Sequence, residues 1–266
     1  KLVSENIKFI PRDERDLISQ IRRCSRSIPA QIAEGYGRKY SEKEFKKIIK
    51  KVHEEGNRVI IFGKSHKADT TKPWFKKELH RYAKRDLWGN MSYSSYGYDT
   101  ILNHEAPLIA NMCPSSSGWQ KVMADQLKYI ARLGADGFQF DECCAAAWLC
   151  FEPSHKHSPS KATAQGLLDM FRKIKSAVHE INPGFVFLGE SMADVYQQVL
   201  SSSWSRFFVW FIKGNEKVFK YTFPEYKPAI MVDIMGYDSA NYALLMGNIL
   251  SFELMNNRKD VSKFKE

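Results

Sequence analysis

Apolar residues along much of this 266-residue chain alternate between two rhythms: a helical spacing that stops at glycine, then a short continuous run. From Ser41 the helix-spaced positions Phe45, Ile48, Ile49 and Val52 lead to Gly56, and Arg58–Phe62 then reads as a buried strand. Trp119, Val122, Met123, Leu127 and Ile130 lie on one side of a second helix, and Ser115-Ser116-Ser117-Gly118 offers N-cap oxygens before it. That helix ends at Gly134, and Phe138-Gln139-Phe140 forms the next strand. A third helix places Leu167, Leu168, Phe171, Ile174, Val178 and Ile181 on one face, stops at Pro183-Gly184 and gives way to strand Phe185–Leu188. Repeated helix, glycine, strand and polar loop implies parallel strands joined by right-handed crossovers, and so an α/β fold that is a barrel or a doubly wound sheet. No Gly-x-Gly-x-x-Gly follows any of these strands, which leaves a dinucleotide site unsupported.

The other segments are less regular. Residues 13–40 predict two helical pieces, with Leu17, Ile18, Ile21 and then Ile28, Ile32 on a face, broken near Pro29 and closed by Gly35-Tyr36-Gly37. Residues 64–115 read as loop-rich, with a short helix near Pro73–Arg85 and an aromatic stretch, Trp88–Tyr98; loops of this length inside a domain tend to be functional. Beyond Ser201, Arg206–Ile212 and Ala229–Ile234 are expected as strands and Ser239–Phe252 as a closing helix.

At 44% hydrophobic residues the chain can bury a sizeable core. Its net charge of +10 is concentrated at one end, with 23 Lys and Arg against 12 Asp and Glu in residues 1–90 and near balance afterwards. Such a block can attract RNA or an anionic surface; lysine-rich solvent faces of helices are its commoner origin. Arg22, Arg23, Arg26 and Arg38 are the candidates for RNA phosphates, and no base-reading aromatic motif accompanies them. The five cysteines form no CxxC pair and cannot all pair internally, which suggests reduced thiols. No run of about 18 apolar residues exists, so no membrane span is expected, and the first residues lack the apolar core of a signal peptide. A chain that begins at Lys1 rather than methionine is expected to have lost its native start, and any export signal with it; its compartment stays unassigned.

The chemistry sits where two strands end. Asp141 closes Phe138-Gln139-Phe140, and Glu190 follows Phe187-Leu188-Gly189. In a parallel barrel the C-terminal ends of the strands converge on one open face. Two carboxylates aimed at one pocket there suggest cleavage of a glycosidic bond; a retaining mechanism needs them roughly 5–5.5 Å apart. Asp136 precedes its strand, on the opposite rim, and reads as structural. Glu142 should point away from Asp141 if the strand continues, unless a loop turns it inward to the substrate, which makes it the reserve candidate. His155 and His157, near Cys143, Cys144 and Cys150, match no usual zinc spacing and read as sugar-contacting or plain loop residues. Trp88, Tyr93, Tyr96, Tyr98 and Trp148 fall in strand-following loops, where flat rings can stack on sugars or simply pack. No metal and no obligatory cofactor is expected.

Two family resemblances follow from these residues. Residues 41–252, with Gly134-Ala135-Asp136-Gly137-Phe138-Gln139-Phe140-Asp141-Glu142, Leu188-Gly189-Glu190 and Phe219-Lys220-Tyr221-Thr222-Phe223-Pro224-Glu225, resemble a glycoside hydrolase (β/α)8 (TIM) barrel in the neighbourhood of the α-amylase and α-galactosidase superfamilies. The resemblance implies Asp141 as nucleophile, Glu190 as general acid/base and a carbohydrate as partner; Gln139 stands where the amylase pattern has arginine. Residues 13–45, with Gln20-Ile21-Arg22-Arg23 and Ser27-Ile28-Pro29-Ala30-Gln31-Ile32-Ala33-Glu34-Gly35-Tyr36-Gly37-Arg38, resemble the four-helix bundle proteins encoded in ribosomal-RNA intervening sequences, with Gln31 in place of asparagine. The expected organisation is therefore a helical segment, residues 1–40, joined to a partial barrel, residues 41–266. Taking Arg58–Phe62 as the third barrel strand leaves no sequence for the first two. The expectation is an incomplete TIM-type barrel whose exposed edges are covered or paired with another chain. The alternative to an enzyme is a non-catalytic hybrid chain that acts, if at all, as an interaction or RNA-associated protein through its basic helices.

Overall fold

The computed structural model describes residues 41–94, 109–143, 148–190, 192–205, 215–231 and 237–251. The helices expected within 13–40 with their arginines, the strand at 206–212, the end of the strand expected through Ile234, and Tyr96, Tyr98 and Cys144 lie outside the described residues. The described residues group into two units, one running to Phe187 and one from Leu188 onward.

The first unit opens with α1 (Glu42–Glu54), whose start is a capping box: the Glu44 backbone N–H donates to Ser41 Oγ at 3.4 Å while the Glu44 carboxylate accepts from the Ser41 backbone N–H. Gly56, in the left-handed region at φ 78°, ends the turn after it and frees the chain to enter β1 (Ile60–Lys64). Then come β2 (Lys67–Asp69), α2 (Pro73–Lys77), a 3-10 turn at Leu79–Tyr82, β3 (Tyr93–Ser94), β4 (Ile109–Asn111), α3 (Ser117–Arg132), β5 (Gly137–Asp141), α4 (Ala164–His179) and β6 (Val186–Glu190). β1 and β5 pair in parallel, from Ile60 opposite Gly137 to Lys64 opposite Asp141. On the other side of β5 the Val186 N–H donates to the Asp136 carbonyl at 2.9 Å. A Cβ at Gly137 would stand 2.8 Å from the Val186 carbonyl oxygen, so this strand approach requires glycine.

α3 and α4 pack against each other, and α4 meets β5 through Phe171. The contact is aromatic. Phe140 lies 4.6 Å from Phe171 of α4, 4.9 Å from Phe138 and 6.1 Å, stacked, from Phe187 of β6, measured between ring centroids, and all four rings are buried. Burying each stabilises the fold by about 1.5–3 kcal/mol. Trp119 of α3 is fully buried and donates its indole N–H to the Ser65 carbonyl, which ties the helix to the end of β1.

The second unit holds the end of β6, then β7 (Ser202–Ser205), α5 (Asn215–Thr222), β8 (Ala229–Met231), α6 (Tyr237–Leu245) and β9 (Ile249–Ser251). All its pairings are parallel: Leu188 with Ser202, Trp204 with Ala229, Ala229 with Ile249. Ile230, Ala240 and Ala243 form its core, with Leu250 against them. The α/β class with parallel strands is thus as expected.

Four local expectations change. The loop-rich stretch 64–115 contains an antiparallel sheet, β2-β4-β3, whose strands of two or three residues are too short to show alternation. The helix expected over Pro73–Arg85 stops at Lys77, because Glu78 at φ −136° leaves helical space. Ser116 occupies the N-cap of α3 without a side-chain hydrogen bond; Ser115 Oγ instead donates to the Ala162 carbonyl at 3.1 Å. The closing helix ends at Leu245, and Gly247 at φ 65° turns the chain into β9. No helix among the described residues is long and apolar enough to cross a membrane.

Two outcomes follow. Phe140→Ala is expected to lower unfolding free energy by about 3–5 kcal/mol in urea titration, from lost transfer energy and the cavity left behind. His66 is buried, and that burial, with the neighbouring Lys84 and Lys67 ammonium groups, pushes its pKa down to about 3. The unfolded chain therefore takes up a proton on this residue that the folded one refuses. Its contribution to stability is complete above about pH 6.5 and is lost as pH falls from there toward 3. Melting curves across that window should fall less steeply for His66→Gln than for the parent.

Candidate active site

The C-terminal ends of β1 and β5 bring charge together because their register sets Lys64 opposite Asp141. Asp141 is 8% exposed and ion-pairs with Lys64 Nζ. Glu142, the next residue, sits at φ 55°, a backbone cost of about 1–2 kcal/mol for a residue with a Cβ. A continuing strand would have turned Glu142 to the other face. The left-handed step instead places its Oε1 2.7 Å from Lys64 Nζ and its other oxygen on Lys67 Nζ. Glu142 thus shares a lysine with Asp141. Strain of this kind gathers at functional sites.

Further polar contacts hold the cluster. Lys67 Nζ donates to Ser94 Oγ at 3.1 Å, Ser94 Oγ to Asn111 Oδ1 at 2.9 Å, and Asn111 Nδ2 to Ser92 Oγ at 2.9 Å, so the antiparallel sheet buttresses the carboxylates. Burial works against the charge on Lys64, but Asp141 and Glu142 outweigh it and hold the ammonium well above its ordinary range. The cluster balances two carboxylates with two ammonium groups, which is how charge survives in a largely buried site. At the other end of β5, Asp136 is structural, accepting from Val59 N–H at 2.8 Å and lying 2.7 Å from His53 Nε2.

Glu190 is half-buried, the last residue of β6, and pairs in register with Trp204 of β7. Trp88 is 82% exposed at the tip of a turn in which Asp86 Oδ1 accepts from the backbone N–H groups of Trp88 and Asn90. Tyr93 lies partly exposed on β3. Trp148 is half-exposed, with Lys84 Nζ 5.9 Å from its ring centroid.

His155 and His157 come together, with ring centroids 5.8 Å apart, beside Cys150 and a residue the sequence reading did not connect to them, Cys113. The four donor atoms all lie within 4.8 Å of one another, close enough to hold a metal ion. The hydrogen bond to Cys150, together with burial, pushes the Cys113 thiol up, and the same hydrogen bond, with His155, pulls Cys150 down. Cys113 lies 37 positions before Cys150, beyond any local spacing rule, so only the fold could reveal it.

In fold, the chain is similar to solved structures of the TIM-barrel kind. An α-N-acetylgalactosaminidase from Bifidobacterium bifidum, in complex with GalNAc, superposes at a TM-score of 0.59 with 17% identity over 81% of this chain and 34% of that one. An α-amylase from Lactobacillus plantarum gives a TM-score of 0.52 at 11% identity, over 79% of this chain and 54% of that one. The chain thus spans a third to about half the length of these enzymes. The chain belongs to the family described as Domain of unknown function (DUF6259), whose model matches residues 35–210. The model of the 23S rRNA-intervening sequence protein matches residues 1–57. No curated protein matches.

Removing the shared cation should be costly. Lys64→Met is expected to destabilise the fold by about 3–5 kcal/mol in urea titration, because it leaves carboxylates short of a buried partner. Adding Glu142→Gln to that variant should restore part of the loss, and a double-mutant cycle gives the coupling.

Proposed function

We propose that this chain acts as a glycoside hydrolase through two carboxylates, with Asp141 as nucleophile and Glu190 as general acid/base. The observation that carries this reading is Asp141: a nearly buried carboxylate, ion-paired to Lys64, at the C-terminal end of a parallel strand. Glu190 is the last residue of β6, another parallel strand. The fold likeness to solved glycoside hydrolases supports the reading. In a retaining reaction the ionised Asp141 attacks the anomeric carbon as Glu190 gives its proton to the departing oxygen. Water, deprotonated by Glu190, then releases the sugar from Asp141. Glu142, turned onto the same lysines, is assigned to substrate hydroxyls. The exposed rings of Trp88, Tyr93 and Trp148 offer faces for stacking on a carbohydrate.

Two variants test the roles on a panel of aryl glycosides. Asp141→Asn is expected to lower kcat by at least about 1000-fold on every substrate that the parent cleaves, while the far-UV circular dichroism stays that of the folded parent. Glu190→Gln should slow glycosides with poor leaving groups far more than those with acidic phenols, which depart without protonation. Equal loss on both kinds would remove Glu190 from the acid role, and retained turnover in Asp141→Asn would remove the nucleophile.

The family match over residues 1–57 and the basic N-terminal third favour a second reading, a non-catalytic chain that associates with RNA. It expects no turnover on the panel together with RNA binding that weakens steeply with salt. Turnover that depends on Asp141 decides against it.

A further inference from the structure

We propose that Cys113, Cys150, His155 and His157 form a structural Zn2+ site that pins the long loop between β5 and α4 to the end of β4. Cys113 follows β4, and its backbone N–H is held by the Tyr82 carbonyl at 2.8 Å. The other three come from one short stretch of the loop, anchored at Cys150 by the Pro159 carbonyl and at Phe151 by the Arg85 carbonyl.

The distances suit a metal. Bonds of about 2.3 Å to sulfur and 2.0–2.1 Å to nitrogen place tetrahedral ligand atoms roughly 3.3–3.8 Å apart. Here Cys113 Sγ lies 3.1 Å from His157 Nε2, Cys150 Sγ lies 3.5 Å from His155 Nδ1, and all four atoms fall within 4.8 Å of one another. Shifts of about an ångström or less bring them onto one ion.

The outward-facing ring nitrogens make the stronger argument. A metal-bound imidazole offers a lone pair from one nitrogen and needs a carbonyl or carboxylate for the N–H of the other. His155 turns Nδ1 to the sulfurs and Nε2 to the Arg81 carbonyl at 2.9 Å. His157 turns Nε2 to the sulfurs and Nδ1 to the Ser158 carbonyl at 3.0 Å. A carbonyl only accepts, so each outer nitrogen carries the hydrogen and each inner one is left free to coordinate. Both residues thus reach the same centre with opposite tautomers, each fixed by the backbone.

Two thiolates and two imidazoles select a borderline-soft tetrahedral ion. Four protein ligands leave no position for water, so the site is structural rather than catalytic. Zn2+ enters and the thiol protons leave to solvent. Both cysteines are buried and pack with Ala162, so the metal fastens the loop through a dry contact that also closes on the start of α4. This inference stands apart from the glycosidase reading: it needs no turnover to test.

The test uses the full chain, dialysed against Zn2+ and desalted, with metal counted by mass spectrometry. One equivalent per chain is expected, retained in Cys143→Ala, reduced at least about tenfold in Cys113→Ser and in His157→Ala. If these variants fail to fold, Co2+ loaded into the parent keeps the question open to an answer: the intense visible bands of tetrahedral cobalt with thiolate charge transfer are expected, and stripping the ion with a chelator should lower Tm. A parent that binds no equivalent of either metal, a metal content unchanged by Cys113→Ser, or a disulfide between Cys113 and Cys150 in the freshly purified, metal-free chain would each overturn the proposal.

Discussion

The parallel register between β1 and β5 is the constraint on which the rest of the first unit depends. Pairing Ile60 with Gly137 buries Phe138 and Phe140, the latter against Phe171 of α4, and the same register, four residues on, sets Lys64 against Asp141. A slip of one residue would turn every side chain to the opposite face, exposing the phenylalanines and burying Gln139. Hydrophobic burial and placement of the charged pair are thus one choice. Gly137 makes it possible by letting the Val186 backbone close on the other side.

The charged cluster explains why the strand ends where it does. Asp141 and Glu142 cannot both be buried without cations, and the chain supplies Lys64 from the paired strand and Lys67 from the start of the antiparallel sheet. Reaching both lysines requires Glu142 to leave the strand with a left-handed backbone, an expense met by charge pairing in a site shielded from water. The small sheet β2-β4-β3 is therefore more than a surface decoration. Through Ser94, Asn111 and Ser92 it orients the lysine that holds Glu142, and past its strand β4 comes Cys113, at the cysteine and histidine cluster. The two loops that follow β1 and β5 are thus braced by polar contacts as well as by the buried contact of Cys113, Cys150 and Ala162.

What was legible in the chain was whatever a local rule encodes. The helix of Phe45 to Val52, its glycine stop and the strand after it show in the periodicity, as do α3, α4 and the strands that follow them, because amphipathic spacing and glycine stops are properties of neighbouring residues. The strands β2, β3, β4 and β9 did not show: with two or three residues each, they exist through partners distant in sequence. The serine run before α3 misled for a related reason, since Ser115 found a carbonyl on another loop rather than capping its own helix.

An α/β chain of parallel strands with acids at their ends follows from adjacent residues alone, because strand, helix and turn preferences are local. Which groups meet depended on the folded chain. It turned Glu142 onto the lysines of Asp141, and it brought Cys113 across to Cys150, His155 and His157, since a contact between distant positions depends on strand register and loop path, which no short window of residues contains.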